Sequence, residues 1–197
     1  MRPMIENCEV YGLEQSIKAS KYPFAVNPDK CTAEITERTM ALGEAPRGSG
    51  HDNFLKGIVV QFDLTCTNKM WVEAERYHFF DIVSSQSTMH RIAKFNLEEQ
   101  MFPYVDKEII SVLRRIIDSY ALDPTDENYL KVLYNVPSGL LLTACITTNY
   151  QQLKTIYYQR KDHRLPEWRI FCNWITTLPE FKKLCLGVKE EENNDEK

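Results

Sequence analysis

Residues 58–67 constrain the fold more than any other stretch of this chain, because their side chains alternate between two faces. One face carries Ile58, Val60, Phe62, Leu64 and Cys66. A period of two residues is typical of a β-strand with one buried face. The pattern predicts a strand over residues 58–67, a hairpin turn at 67–69 and a returning strand over residues 70–77.

Helical signals dominate the rest of the chain. Asp106 is a predicted N-cap. The helix that follows it has apolar residues at helical spacing: Ile109, Ile110, Leu113, Ile116, Ile117 and Tyr120. Thr125 and Pro137 mark two further helix starts, and we expect the second helix to run through Arg160. Ser84 or Ser85 is expected to cap a helix within residues 78–91. A last apolar helical face carries Trp168, Phe171, Trp174 and Ile175.

Length and charge narrow the class of protein. The chain has 197 residues, 43% of them hydrophobic, and a formal charge of -4 at pH 7. This length predicts a single domain over residues 1–188, and the charged residues 189–197 predict a disordered tail. The acidic balance argues against general nucleic-acid binding, which needs a broad basic surface.

The six cysteines show no C-x-x-C pair and no spacing with histidine that suits zinc. We therefore predict reduced thiols in a cytoplasmic protein without a metal site. The polar N-terminus does not resemble a signal peptide. The longest apolar run, near residues 140–146, is far shorter than the roughly 20 residues of a membrane span, so we expect no membrane association.

The densest polar cluster is Gln86–Asn96, which contains Gln86, His90, Arg91, Lys94 and Asn96. Guanidinium and imidazole donors suit a phosphate, and amides suit the carbonyls of a ring system. The cluster is compatible with a nucleotide or flavin site. From the residues alone, an ordinary exposed surface explains it equally well.

A second basic cluster contains Arg160, Lys161, His163 and Arg164, flanked by aromatic residues. It fits either a site for a charged ligand or a solvated helix end, where cations are favourable. On the predicted long helix, Asn149 and Arg160 differ by about 20° in direction and lie about 16 Å apart. One helix face could therefore present both to an extended ligand.

The chain has no G-x-S-x-G, P-loop or H-E-x-x-H motif, and no catalytic nucleophile is evident from the residues. Taken in order, however, several of its motifs resemble those of the flavin-dependent thymidylate synthases. Gly50-His51 precedes the strand, and Gln86, His90 and Arg91 match a central Gln-x-x-Arg-His-Arg motif. Asn96 matches the next segment. Val136-Pro137, Thr147, Asn149, Leu153 and Arg160 match the later helix.

The resemblance implies an α/β (α+β) fold with an antiparallel sheet packed with several helices, assembled as a homotetramer. It implies FAD as cofactor, with NADPH and methylenetetrahydrofolate as co-substrates. The implied activity is transfer of a one-carbon unit to C5 of a pyrimidine nucleotide, such as dUMP to dTMP or a related modification. Gln86, His90, Arg91 and Asn149 would hold the flavin, and Lys94, Asn96 and Arg160 the nucleotide.

The sequence also departs from the family pattern in a systematic way. Met89 and Lys94 replace an arginine and a serine, and Gln151 replaces a later arginine. Leu97, Glu99 and Met101 stand where the family has Glu, Ser and Arg. These departures leave open an inactive relative that binds a nucleotide or protein partner as an oligomer. A helical scaffold with chance motif matches is a third possibility.

Overall fold

A computed structural model describes residues 3–188 of the chain. Its strands are β1 (Ile5–Tyr11), β2 (Val59–Thr67), β3 (Phe80–Ser85) and β4 (Leu141–Asn149). Its α-helices are α1 (Leu13–Ala19), α2 (Glu37–Glu44), α3 (Asn68–Ala74), α4 (Thr88–Arg91), α5 (Leu97–Gln100), α6 (Lys107–Leu122), α7 (Asp126–Tyr134), α8 (Tyr150–Arg160), α9 (Pro166–Ile175) and α10 (Phe181–Leu186). Short 3-10 segments cover Tyr22–Phe24, Pro28–Lys30, His51–Gly57 and Ile92–Lys94.

The strands form one antiparallel four-stranded sheet in the order β1-β2-β4-β3. Side-chain hydrogen bonds fix the register of the central pair. Thr65 pairs with Thr143 at 2.7 Å between hydroxyl oxygens, and Gln61 donates to the Thr147 hydroxyl at 3.1 Å. Residue numbers rise along β2 as those of their partners fall along β4, as antiparallel pairing requires. The predicted α/β fold with an antiparallel sheet is confirmed, and a purely helical scaffold is wrong.

The predicted strand over residues 58–67 is confirmed, and its alternating apolar positions are buried. The hairpin turn and returning strand after it are wrong, because α3 occupies residues 68–74. The Thr67 hydroxyl accepts the backbone N–H of Met70 at 3.2 Å and so caps a helix. Met70 and Ala74, one helical turn apart, are the buried residues of α3.

The helix expected within residues 78–91 begins later than predicted. Residues 80–85 form β3, and α4 starts at Thr88, so neither Ser84 nor Ser85 is a cap. Because β3 is an edge strand exposed on both faces after Phe80, it has no alternating pattern that sequence reasoning could detect. Its β-branched Ile82 and Val83 favour the extended form.

The long helix expected from Pro137 is also wrong. Residues 141–149 form β4, which lies between β2 and β3, and the helix begins only at Tyr150. A short continuous apolar run fits a buried strand or a buried helix equally well. Here Ala144, Ile146 and Thr148 are buried in alternation, as a central strand requires.

Two of the predicted capping residues, Asp106 and Thr125, do begin helices. The Asp106 carboxylate accepts the Glu108 N–H at 2.7 Å, and the Thr125 hydroxyl accepts the Asn128 N–H at 3.3 Å, so the predicted starts of α6 and α7 are confirmed. The predicted apolar face over residues 168–175 is confirmed in α9, which has Pro166 at its first turn.

Backbone contacts divide the chain into two compact units. The first contains Asp63–His78 and Ile82–Ile146, and the second contains Asn7–Phe62, Phe79–Asp81 and the chain from Thr147 onward. A single domain over residues 1–188 stays a prediction. The tail predicted at 189–197 lies outside the described residues.

Each unit has its own apolar cluster. In the first unit the buried members are Ile92, Leu97, Met101, Leu113, Val132 and Leu140. In the second unit an aromatic cluster joins Phe62, Phe80, Trp168, Phe171 and Trp174 through ring contacts. Burying one large apolar side chain contributes about 1.5–3 kcal/mol to stability, so these clusters hold the elements that carry the candidate ligand residues.

Candidate functional site

The seven predicted site residues fall into two groups, and each is described within its own unit. Gln86, His90, Arg91, Lys94 and Asn96 belong to the first unit. Asn149 and Arg160 belong to the second, at the two ends of α8.

Gln86 extends the sheet through its side chain. Its backbone N–H donates to the Thr143 carbonyl at 2.9 Å, and its carboxamide Oε1 accepts the Thr143 N–H at 2.9 Å. The side chain thus supplies the acceptor that the backbone carbonyl of Gln86 would provide in a regular antiparallel pair. Only the Nε2 donor remains available for the cofactor role that the resemblance implies.

Two contacts with the first unit hold the backbone that follows Gln86. Ile92 is fully buried in the first unit's apolar cluster. The Tyr129 hydroxyl of α7 donates to the Met89 carbonyl at 2.9 Å. These contacts fix the backbone of residues 88–94 while the polar side chains point away from the core.

His90, Arg91 and Lys94 are exposed. Within residues 3–188, none of the three side chains makes a hydrogen bond or an ion pair, and no acid lies between residues 86 and 96. Arg91 and Lys94 thus carry exposed positive charge without an ion-pair partner among the described residues, which suits a phosphate. Asn96 differs, because its Oδ1 accepts the Glu98 N–H at 3.2 Å and caps α5.

In the second unit, Asn149 is an N-cap rather than a mid-helix residue. Its Oδ1 accepts the Gln152 N–H at 2.9 Å. Gln152 is only 3% exposed, and its Nε2 has no hydrogen-bond partner in the described part of the chain. A buried amide donor without a partner costs about 1–3 kcal/mol, so a water or a ligand carbonyl is expected beside it. No sequence motif marks Gln152 as a functional residue.

A buried ion pair lies one turn further along α8. The Lys154 ammonium donates to the Gly43 and Ala45 carbonyls at 2.6 and 2.7 Å and lies 3.3 Å from the Asp52 carboxylate. Gln151, which replaces the family's arginine, donates to the other Asp52 oxygen at 2.8 Å. This network holds the end of α2 and the His51–Gly57 segment against α8. No spacing or periodicity in the sequence indicates this network.

At the far end of α8, the Arg160 guanidinium lies over the Trp168 ring, 4.9 Å from its centroid. Its Nη1 is 2.9 Å from Nε2 of His163. Arg169 donates to the His163 and Arg164 carbonyls and so closes the loop between α8 and α9. The basic cluster of residues 160–164 is thus partly engaged in holding this loop.

Two of the positions where the sequence departs from the family pattern lie in the core. Leu97 and Met101 are 4% and 6% exposed and belong to the first unit's apolar cluster. Neither side chain is available to bind a ligand, and neither has a charged donor to offer. Glu99, by contrast, is exposed.

Other reactive groups are unremarkable. All six cysteines are free, as predicted, and burial raises the pKa of Cys172 to about 12 and that of Cys185 further. Both thiols therefore stay protonated and are poor nucleophiles.

Residues 3–188 contain no cluster of three or more His, Cys, Asp or Glu side chains suited to a metal ion. No helix in the same range is long and apolar enough to cross a bilayer.

Comparisons with known proteins are informative for the fold alone. No family model matches the sequence, and no curated protein is significantly similar to it. The fold is similar to that of the flavin-dependent thymidylate synthase ThyX from Helicobacter pylori complexed with FAD and dUMP. The TM-score is 0.68 at 11% identity, with 92% of this chain and 96% of that chain covered. A second structure of the Helicobacter pylori ThyX with FAD and dUMP gives 0.65 at 12% identity, covering 91% and 94%.

Proposed function

We propose that this protein binds FAD and transfers a one-carbon unit to C5 of a pyrimidine nucleotide, either dUMP or a related substrate. The observation that carries this proposal is the similarity of fold, over nearly the whole of both chains, to a flavin-dependent thymidylate synthase complexed with FAD and dUMP. The order of the sequence motifs supports it independently, because that order depends on the amino-acid sequence alone.

The donors in the candidate site fit the cofactor's chemistry. FAD combines an anionic diphosphate with a ring system rich in carbonyl groups, and its recognition therefore needs cations and amide donors. Residues 86–96 offer a guanidinium and an ammonium that have no partner within residues 3–188, together with an imidazole. The Nε2 of Gln152 is a buried donor that lacks an acceptor within residues 3–188, and a ring carbonyl would satisfy it.

We propose for the site residues the roles that the motif resemblance implies. Arg91 and His90 bind the anionic part of FAD, and Gln86 and Asn149 orient it through their amide nitrogens. Lys94, Asn96 and Arg160 bind the nucleotide. When bound, FAD supplies the hydride for the one-carbon unit that methylenetetrahydrofolate donates, and NADPH restores its reduced form. The protein itself contributes binding, orientation and electrostatic stabilisation.

A second candidate function is supported by the burial of Leu97 and Met101. In the family pattern these positions carry a carboxylate and a guanidinium, which here are core side chains. A protein without them could retain nucleotide or partner binding as an oligomer yet lack the transfer reaction. Lys94 is a nearby cation that could replace the missing phosphate contact.

The test is a titration of the purified full-length protein with FAD, followed by visible absorbance and gel filtration. We expect the flavin to co-elute with the protein. Addition of dUMP tritiated at C5, with methylenetetrahydrofolate and NADPH, should then release tritium. Flavin binding without tritium release would favour the inactive relative. Protein that takes up no FAD would contradict the proposed flavin-dependent activity.

We also propose that the protein is a homo-oligomer, with a tetramer as the expected state. The edge strand β3 supports this, because its Ile82 and Val83 are 52% and 58% exposed. An exposed apolar edge strand is usually covered by a partner. Light scattering coupled to gel filtration measures the mass directly, and a monomer across a tenfold dilution series would contradict the proposal.

A further inference from the structure

A groove of about 590 Å³ lies within the second unit, and all of its lining residues precede α8 in the sequence. It is bounded by the end of α1, the Tyr22–Phe24 segment, α2 and the start of the His51–Gly57 segment. Its polar groups are Arg38, His51, Asn53 and Ser20, and Phe24 and Phe54 contribute aromatic surface. This volume is within the range of small-molecule sites, about 300–1,000 Å³.

The orientation of Arg38 points to an anionic ligand. Its guanidinium carbon lies 3.3 Å from the centroid of the Phe24 ring. A stacked guanidinium keeps its N–H groups free around its edge, where they form the planar fork that grips carboxylates and phosphates. Within residues 3–188, Arg38 makes no ion pair or hydrogen bond that would occupy this fork.

The rest of the lining agrees in charge and polarity. Among the described residues no acid lines the groove, and the neighbouring Asp52 is fully buried and paired with Lys154 and Gln151. The Asn53 side chain has no hydrogen-bond partner among the described residues. Ser20 donates to the Ile17 carbonyl and keeps its oxygen lone pairs. Gly50, at φ 79°, adopts a left-handed conformation that places His51 at the groove.

We propose that this groove is a binding site for a small planar ring that carries a carboxylate or a phosphate monoester. Arg38 binds the oxyanion through its fork, with His51 and Asn53 as further donors, and the apolar walls around Phe24 and Phe54 cover the ring. The proposal does not depend on FAD binding or on the transfer reaction, since none of its residues belongs to the site proposed above.

The test uses benzoate and phenyl phosphate as probes, with benzyl alcohol as the neutral analogue and inorganic phosphate as the anion without a ring. Each is titrated into ¹⁵N-labelled full-length protein, and backbone amide shifts are followed. We expect benzoate or phenyl phosphate to bind with a dissociation constant of about 1 mM or below. The shifts should concentrate in residues 19–24 and 38–54. Benzyl alcohol and inorganic phosphate should bind at least about tenfold more weakly.

Variants of Arg38 distinguish recognition by the planar guanidinium from simple attraction to a positive charge. Arg38→Met keeps an aliphatic side chain over Phe24 but removes the charge, and we expect affinity for benzoate to fall about 10- to 100-fold. Arg38→Lys keeps the charge without the planar fork and should lose part of that affinity. Arg115→Met removes an exposed arginine of the first unit and should bind like the wild type. All are exposed positions, so each variant is expected to stay folded by circular dichroism.

Three results would overturn the proposal. Equal affinity for benzoate and benzyl alcohol would show that the anion is not recognised. Unchanged benzoate affinity in folded Arg38→Met would show that Arg38 is not the anion's partner. If residues 19–54 showed no amide shifts at probe concentrations well above about 1 mM, the groove would not be a site for this ligand class.

Discussion

Segment 86–96 and helix α8 both carry predicted ligand residues, but the protein uses their polar side chains in opposite ways. In the segment, His90, Arg91 and Lys94 are exposed and, among the described residues, without protein partners. In α8, Asn149 caps the helix, and Gln151 and Lys154 are held by Asp52. A polar side chain that already supports the fold is less able to rearrange around a ligand. The contrast predicts that substitutions in the segment alter binding, and substitutions in α8 alter stability first.

The largest effect is expected for Lys154→Met. Removing this ammonium leaves the buried Asp52 carboxylate and two carbonyls without their donor, which costs about 3–5 kcal/mol in the free energy of unfolding. Lys94→Met, in the exposed segment, should change the free energy by less than about 0.5 kcal/mol. Urea denaturation of both variants measures the difference. Similar losses of stability in Lys154→Met and Lys94→Met would contradict the predicted difference between α8 and segment 86–96.

A double variant sharpens this prediction. Lys154→Met combined with Asp52→Asn removes both charges of the buried pair, so it should be more stable than Lys154→Met alone. If the double variant were instead destabilised by the sum of both single changes, the ion pair would not be the cause of the loss.

The next effect is on binding, and it depends on the proposed FAD site. Arg91→Met should weaken FAD binding about 10- to 100-fold, because it removes a charge-assisted donor. Its free energy of unfolding should stay within about 0.5 kcal/mol of the wild type. Flavin fluorescence titration gives the affinity, and Arg115→Met is the matched control. If the wild type binds FAD and Arg91→Met binds it with the same affinity, Arg91 is not part of the site.

A smaller effect is expected at Asn149. Asn149→Ala removes the cap of α8 and should cost about 1 kcal/mol in the free energy of unfolding. Asn149→Asp keeps the capping oxygen but lacks the amide donor, so it should retain most of the stability and still lose FAD affinity. Thermal unfolding and flavin titration separate the two roles. Full FAD affinity in Asn149→Asp would restrict Asn149 to capping.

The smallest effect is expected for Glu98→Gln on α5 of the first unit. Hydrogen bonding to Arg114 lowers the pKa of the Glu98 carboxyl. A carboxylate whose pKa is lowered in the folded state stabilises the fold above its unfolded pKa, and that contribution disappears as the pH falls through the folded pKa. Because the pair is fully exposed, Glu98→Gln should be slightly less stable than wild type near neutral pH. Denaturation at pH 7 and pH 2–3 measures this, and the gap should close in acid; Glu99→Gln is the control.

The fold was predictable where the deciding interactions are local. Asp106 and Thr125 form caps with backbone N–H groups two or three residues away, and the alternation over residues 58–67 directly reports one buried face. The strands β3 and β4 were missed for different reasons. β3 is an exposed edge with no apolar period, and β4 is a continuous apolar run that a helix would equally explain.

The candidate site was predictable as a set of residue types but not as a set of available atoms. Gln86 and Asn149 were identified from motif order, yet Thr143 and Gln152 take their acceptor oxygens. The Asp52–Lys154 pair joins residues 102 positions apart in the chain. No periodicity or spacing indicates such a contact.

The sequence by itself determined the alternating strand, the caps of α6 and α7, the basic segment 86–96 and the positions that depart from the motif pattern. Each of these depends on residues close in the chain, whose geometry is set by backbone periodicity. Only the tertiary structure decided that residues 141–149 are a strand, that Leu97 and Met101 are core, and that Lys154 is paired. These outcomes depend on which distant residues meet, and burial and hydrogen bonding then determine which side chains stay available for a ligand.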